Sequence, residues 1–130
     1  MAQELNLAGR KLVQVALTVR DLDRARTFYR DTLGLPLLFE AGTMLFFDIG
    51  GQRLMVGKAE TPEQPVGGGT YIYFDAPDLP ALVPALEAKG VEMIGNTETL
   101  QRTDTHELKL QFFKDPEGNR IGLMGMVPKA

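Results

Sequence analysis

The 130-residue sequence contains no cysteine, no tryptophan and a single histidine, His106. Without cysteine the chain cannot form disulfides, thiolate zinc sites or iron–sulfur clusters, and it fits a reducing compartment. No run approaches the roughly 18 apolar residues of a membrane span, and residues 1–10 carry no long apolar stretch. We therefore expect a cytoplasmic protein with no membrane partner.

Basic residues are not in excess either. Fourteen Lys and Arg stand against 17 Asp and Glu, which gives a formal net charge of −3. Binding to nucleic-acid phosphates needs a concentrated positive surface, so we expect no nucleic-acid partner. What is present is 44% hydrophobic and 24% charged residues, a composition typical of one globular domain, here residues 1–130.

The hydrophobic pattern of the first half predicts a strand, a helix and three further strands. Residues 12–19 alternate as a strand, and Asp21 can cap a helix whose apolar residues recur at helical spacing as far as Gly34. The next strands are predicted at 37–40, 44–49 and 53–57. Together these elements make a first βαβββ module over about 11–58.

The same order of elements recurs after a linker of about 59–69. Residues 71–75 alternate as a strand, and Asp78 can cap a helix, although Pro84 should kink that helix or delay its start. Three strands follow at 91–94, 107–113 and 120–124. The second βαβββ module covers about 70–127, and the fold class is α+β.

Three segments resemble the vicinal oxygen chelate superfamily, which comprises glyoxalases, bleomycin-resistance proteins and extradiol dioxygenases. They are VALTVRDLDRA at 15–25, FYRDTLGL at 28–35 and FKDPEGNR at 113–120. The resemblance implies two tandem modules whose curved mixed sheets surround a shared cavity. It also implies that pairs of chains form homodimers.

The resemblance further implies up to four metal ligands, one on the first and one on the last strand of each module. Those positions fall on Gln14, Met55, Tyr71 and Gly122. None of these residues is a carboxylate or an imidazole, so little would offset the cost of dehydrating a divalent cation. We expect no metal and no other cofactor, with a divalent ion held through Gln14 as the alternative.

Strand alternation predicts which side chains face the cavity. The apolar face of each strand should pack on the helices, and the other face carries polar, aromatic and methionine side chains typical of small-molecule pockets. Ala16 and Gly122 should leave room for a ligand. The residues that we expect to bind it are Gln14, Thr18, Met55, Tyr71, Tyr73, Arg120 and Gly122.

Candidate acids and bases are few. His106, Tyr71 and Tyr73 could serve if the chain is an enzyme, although an ordinary rim or loop-end position is the favoured interpretation of His106. Glu107 should point to the opposite face from His106, so the two should not form a dyad. The carboxylates Asp48, Asp75 and Glu40 are either pocket groups or exposed strand ends, and 115–119 is predicted as a turn.

Three functions fit these observations. The first is a metal-independent protein that binds a small organic molecule, similar to the antibiotic-binding, bleomycin-resistance-like branch of the superfamily. The second is a lyase, isomerase or dioxygenase with residual metal coordination or none. The third is a regulatory module with a vestigial site. The replaced metal ligands favour the first.

Overall fold

The computed structural model describes residues 5–67 and 69–129, which form two successive modules. Residues 1–4, 68 and 130, the ends of the predicted domain and one glycine of the predicted linker, lie outside the described residues. The first module contains β1 (Gln14–Val19), α1 (Leu22–Arg26), β2 (Leu37–Ala41), β3 (Met44–Asp48) and β4 (Arg53–Lys58). The second contains β5 (Tyr71–Asp75), α2 (Leu79–Ala88), β6 (Met93–Arg102), β7 (His106–Lys114) and β8 (Arg120–Pro128).

Each module forms one four-stranded mixed sheet. Sheet one has the order β1-β4-β3-β2, and sheet two has the order β5-β8-β7-β6. In both sheets the first and last strands of the module pair in parallel, and the other pairs are antiparallel. Gln14 lies opposite Arg53, and Tyr71 lies opposite Arg120, so the two modules share one register. The predicted α+β fold of two βαβββ modules is confirmed.

The apolar face of each sheet is buried as the alternation of the strands predicts. Leu54 and Val56 of β4 and Ile121 of β8 are completely buried. These side chains belong to one continuous cluster that also takes in the first helix and α2. The opposite face of each sheet, which we call its open face, carries the candidate ligand-binding residues.

Two elements depart from the sequence prediction. The first helix is α-helical only over Leu22–Arg26 and continues as a π-helical segment, Thr27–Thr32, before Gly34 ends it with φ of +76°. The strand predicted at 91–94 is β6, which extends to Arg102 and pairs with β7 across two register shifts. Residues 95–102, which follow the predicted strand, therefore belong to one arm of a long hairpin.

The second helix begins where the sequence places it. Asp78 occupies the cap position, although its side chain makes no capping hydrogen bond, and α2 continues through Pro84 to Ala88. Within residues 5–67 and 69–129, no helix combines the length and the apolar composition needed to cross a lipid bilayer.

The turn between β7 and β8 joins the two modules. Asp115 is 2% exposed and accepts hydrogen bonds from the Tyr29 hydroxyl at 2.8 Å and from the Glu117 backbone N–H at 2.9 Å. It also accepts from the backbone and side-chain nitrogens of Asn119, both at 2.8 Å. Burial, together with the negative charge of Asp115, raises the pKa of the Tyr29 phenol, which stays protonated. The predicted turn is thus present, and it anchors module two to the first helix.

A second carboxylate, that of Glu117, stabilises the same corner, at which the β7–β8 turn meets the start of α1. Glu117 accepts hydrogen bonds from the backbone N–H groups of Arg20 and Asp21, at 2.6 and 2.8 Å, where α1 begins. The Arg20 guanidinium donates to the carbonyl oxygens of Pro62 and Gln64, at 3.2 and 2.8 Å. The described part of the linker is therefore tied to the junction between the modules.

Candidate functional site

Three aromatic rings cluster on the open face of sheet two. The Tyr71 and Tyr73 rings meet Phe112 edge to face, with centroid separations of 5.9 and 5.7 Å. Phe112 lies opposite Gly122 on β8, and Gly122 lies opposite Tyr73 on β5, so one row of the sheet brings these residues together. Tyr71 and Tyr73 remain 47% and 51% exposed, which leaves much of each phenol accessible to a ligand.

The space above Gly122 is filled, contrary to our expectation that this glycine leaves room for a ligand. A Cβ atom at Gly122 would lie 2.5 Å from Cδ1 and 2.8 Å from Cε1 of Tyr73, and 3.2 Å from Cε1 of Phe112. Because Gly122 has no side chain, the Tyr73 ring can pack directly on the backbone of β8. The aromatic cluster itself, and not a gap, therefore lies above Gly122.

A hollow of about 310 Å³ adjoins this cluster. Tyr73 forms one wall, and Asp75 lies two residues further along the same strand. The other lining residues are Phe74, Leu108, Met124, Gly125 and Met126. An apolar hollow lined by one carboxylate and one phenol can hold an organic molecule and orient it through these polar groups.

Arg120 marks the other end of the cluster. Its guanidinium carbon lies 5.8 Å from the centroid of the Tyr71 ring, within the range of a cation–π contact. None of the ion pairs formed by residues 5–67 and 69–129 involves Arg120 or Asp75. The open face of sheet two therefore presents a positive group, Arg120, beside Tyr71 and a negative group, Asp75, beyond Tyr73.

The open face of sheet one is also apolar, but its hollow is separate. Phe39 and Phe46 stack with centroids 4.3 Å apart, and Met55 lies opposite Phe46 on the next strand. A hollow of about 190 Å³ is lined by Ala16, Leu17, Thr18, Thr43, Met44, Met55, Gly57, Lys58, Glu60 and Gln64. The two hollows share no lining residue, and the modules are joined elsewhere, by the hydrogen bond between Tyr29 and Asp115.

The predicted ligand-binding residues accordingly fall into two groups. Thr18 and Met55 line the hollow of sheet one, whereas Gln14 lies two residues before Ala16, opposite Arg53. Sheet two brings together Tyr71, Tyr73, Arg120 and Gly122.

His106 stands apart from both groups. It lies opposite Pro128, six residues beyond Gly122 on β8, or about 20 Å along the strand from Tyr73. Its Nδ1 lies 2.8 Å from the Thr105 hydroxyl oxygen. Glu107 binds Arg102 at 3.0 Å instead, as expected if it faces the opposite side of the strand. The structure does not bring His106 together with the two tyrosines.

The four positions that the resemblance assigns to metal ligands do not fit a divalent cation. Gln14 and Met55 offer an amide and a thioether on sheet one, and Tyr71 offers a phenol on sheet two. Gly122 offers only a surface for Tyr73. In the part of the chain that the structure describes, no three His, Asp or Glu side chains come close enough to hold an ion. Neutral and soft donors of this kind do not compensate a hard divalent ion for its lost water.

Sequence reasoning missed several members of the site. Phe112 and Met126 complete the apolar surface, and their place became clear only from the pairing of β7 with β8, whereas strand alternation already predicts Met124 on this face. Of the three carboxylates left open, Asp75 lines the hollow. The other two are engaged elsewhere: Glu40 pairs with Arg26 at 2.8 Å, and Asp48 accepts a hydrogen bond from the Gly51 N–H at 3.1 Å.

Comparison with known proteins gives a consistent picture. Residues 11–123 match the model of the Glyoxalase/Bleomycin resistance protein/Dioxygenase superfamily. An uncharacterized protein of Bacillus subtilis (strain 168), YraH, is 25% identical over 130 residues, which cover 90% of this chain and 99% of YraH.

Solved structures resemble the fold at lower identity. A lactoylglutathione lyase from Agrobacterium tumefaciens superposes with a TM-score of 0.72 at 22% identity, over 89% of this chain and 93% of the lyase. A superfamily member from Sphaerobacter thermophilus DSM 20745 gives 0.73 at 21% identity, over 88% and 96% of the two chains. At this level of identity the similarity concerns the fold alone.

Proposed function

This chain belongs to the Glyoxalase/Bleomycin resistance protein/Dioxygenase superfamily, and we propose that it is a metal-independent protein that binds a small organic molecule. One observation carries the proposal: the position at which the superfamily would place a metal-binding glutamate is Gly122, and the Tyr73 ring packs on it. A centre for metal chemistry is thereby replaced by an exposed aromatic surface.

The chemistry of the open face supports a ligand with an aromatic part. Two half-exposed phenols and Phe112 offer ring faces and edges, which attract flat rings by dispersion and by quadrupole interactions. Next to them, Met124 and Met126 provide flexible, polarizable contacts that adapt to the outline of an apolar group. The antibiotic-binding branch of the superfamily is the closest functional precedent that the resemblance suggests.

The enzyme alternative is less well supported by the geometry. The one histidine is about 20 Å along the strand from Tyr73, too far to share a substrate atom with either tyrosine. A metal-assisted reaction would have to use Gln14, Met55 and Tyr71, which are weak ligands for a divalent ion.

The proposal can be tested by measuring how tightly a neutral aromatic probe, 4-biphenylmethanol, binds to the native protein and to variants at Tyr73 and Gly122. We expect calorimetric titration to detect binding to the native protein. Tyr73→Ala should lower the affinity about tenfold, because it removes one of the two half-exposed rings of the cluster. Gly122→Ala should weaken binding by a similar factor without removing any ring, because the added Cβ forces the Tyr73 ring away.

Two control variants and one metal experiment accompany this test. Gly69→Ala adds the same methyl group where nothing lies within 4 Å, and Leu100→Ala removes an exposed apolar side chain from β6, so both should bind the probe like the native protein. Zn, Ni, Mn and Fe(II) should leave the melting temperature unchanged, because a ligand must bind the native state to stabilise it. Equal probe affinity in all variants, or a clear metal-dependent rise in melting temperature, would contradict the proposal.

The exposed open faces also support the homodimer that the resemblance implies. Phe39 on sheet one and Tyr73 on sheet two are each about half exposed within one chain, and both are surrounded by further apolar side chains. We propose that a second copy of this chain covers them, with the open face of sheet one against that of sheet two. Such pairing would enclose the aromatic cluster and exclude water from a bound ligand.

Light scattering after gel filtration tests this assembly. The native chain should elute with twice the mass of one chain, and Phe39→Lys should shift the equilibrium towards single chains, because a lysine would be desolvated in the interface. Leu38→Lys is the control, and it should leave the mass unchanged. Leu38 is about as exposed as Phe39, at 51%, but it lies at the bulge and outside the Phe39–Phe46 stack. A native protein with the mass of one chain at all concentrations would refute the pairing.

A further inference from the structure

Two charged side chains of sheet two, neither of which forms an ion pair within residues 5–67 and 69–129, lie at opposite ends of the aromatic cluster. Tyr71, at one end, contacts the Arg120 guanidinium. Asp75 lies four residues later on the same strand and the same face, about 13 Å away along β5. Tyr73 lies between them. A ligand that covers both phenol rings would therefore come close to a positive group at one end and a negative group at the other.

Arg120 is suited to an anionic group on a ligand. Its guanidinium has planar N–H donors that match a carboxylate, and the neighbouring Tyr71 ring holds one side of the group. In the described residues its charge is not neutralised by an ion pair. A carboxylate on the ligand would supply the missing negative charge.

Asp75 is suited to a cationic group. It is the one carboxylate among the residues that line the hollow of sheet two, and its neighbours there include Leu108, Met124 and Met126. Those apolar side chains lower the local polarity, so a charge pair formed at the rim is screened less than one in open water. An anionic group would be repelled from the same place.

From this arrangement we infer that the ligand is a flat aromatic molecule with an anionic group at one end and a cationic group at the other. The anion binds Arg120, the cation binds Asp75, and the aromatic body covers Tyr71 and Tyr73. This assignment rests on the proposed function. The two charges fix the direction in which the molecule lies, because the reversed orientation would place like charges together at both ends.

Four biphenyl probes of matched shape test the inference at low ionic strength. They are 4′-(aminomethyl)biphenyl-4-carboxylic acid with both charges, biphenyl-4-carboxylic acid, 4-(aminomethyl)biphenyl and neutral 4-biphenylmethanol. The probe with both charges should bind about tenfold more tightly than the neutral one. Arg120→Gln should remove most of the gain given by the carboxylate, and Asp75→Asn most of the gain given by the ammonium group.

Charge-matched controls separate local contacts from the general field of the protein. Arg102→Gln and Asp104→Asn make the same changes in net charge at exposed positions in the β6–β7 hairpin, and both should leave all four affinities unchanged. Equal affinity for the four probes, or equal effects of control and test variants, would overturn the charge assignment. If the charge assignment fails but 4-biphenylmethanol still binds, and binds more weakly to Tyr73→Ala, the proposed function remains supported. Failure of all four probes to bind would overturn both.

Discussion

Replacing Asp115 with alanine should lower the free energy of unfolding by about 3–5 kcal/mol, the largest loss that we expect from a single substitution in this chain. The carboxylate accepts four hydrogen bonds, and it lies at a corner where both modules meet. Its removal leaves the Tyr29 hydroxyl and the Asn119 amide buried without their acceptor. Urea denaturation followed by circular dichroism measures the loss.

Asp115→Asn should lower the free energy of unfolding less than Asp115→Ala does. An asparagine can still accept from the two backbone N–H groups through its oxygen, but its amide group would face the amide nitrogen of Asn119, so we expect a loss of about 2 kcal/mol. This variant also keeps the test usable if the alanine variant does not fold. Asp104→Ala, which removes an exposed aspartate, should change the stability by less than about 0.5 kcal/mol. A loss below about 1 kcal/mol for Asp115→Ala would mean that the corner does not hold the modules together.

The order of the elements could be predicted because short-range rules determine it. A strand with one buried face alternates with a period of two, so the buried positions of β4 and β8 follow directly from the sequence. The two modules could also be aligned from their cap residues, and the shared pairing of Gln14 with Arg53 and of Tyr71 with Arg120 follows that alignment.

Long-range pairing could not be predicted in the same way. Residues 95–102 are mostly polar and their pairing contains two register shifts, so they show no regular alternation, yet their hydrogen bonds to β7 make them a strand. Asp115 was recognised as part of a turn, but its partner Tyr29 is 86 residues away. No local spacing rule connects two residues at that separation.

The candidate site was predicted in part for the same reason. Alternation placed Tyr71 and Tyr73 on the open face, and their exposure agrees with it. It could not reveal that Phe112 would join them, because this depends on the register between β7 and β8. The prediction for Gly122 was wrong because a missing side chain predicts space only if no neighbouring ring fills it.

Gly125→Ala should be the second most destabilising of these changes, with a loss of about 3 kcal/mol. After β5 the chain crosses β8 at Gly125 on its way to α2. A Cβ there would overlap with the backbone carbon and oxygen of Ala76 and lie 2.7 Å from the Pro77 nitrogen. The Ala76 backbone cannot easily retreat, because it is fully buried and its N–H donates to the Met124 carbonyl at 2.9 Å. Urea denaturation again measures the effect.

Comparison of three glycine variants separates the causes of this loss. At Gly122 the added methyl group meets the half-exposed Tyr73 side chain, which can swing away, so Gly122→Ala should lower the stability by only about 1 kcal/mol. Gly69→Ala meets no atom within 4 Å and should be neutral or slightly stabilising. If the Gly125→Ala variant is as stable as Gly69→Ala, the backbone at Ala76 can move away from Gly125. Because Asp75 directly precedes Ala76, such a movement would also displace the carboxylate to which we assign the cationic end of the ligand.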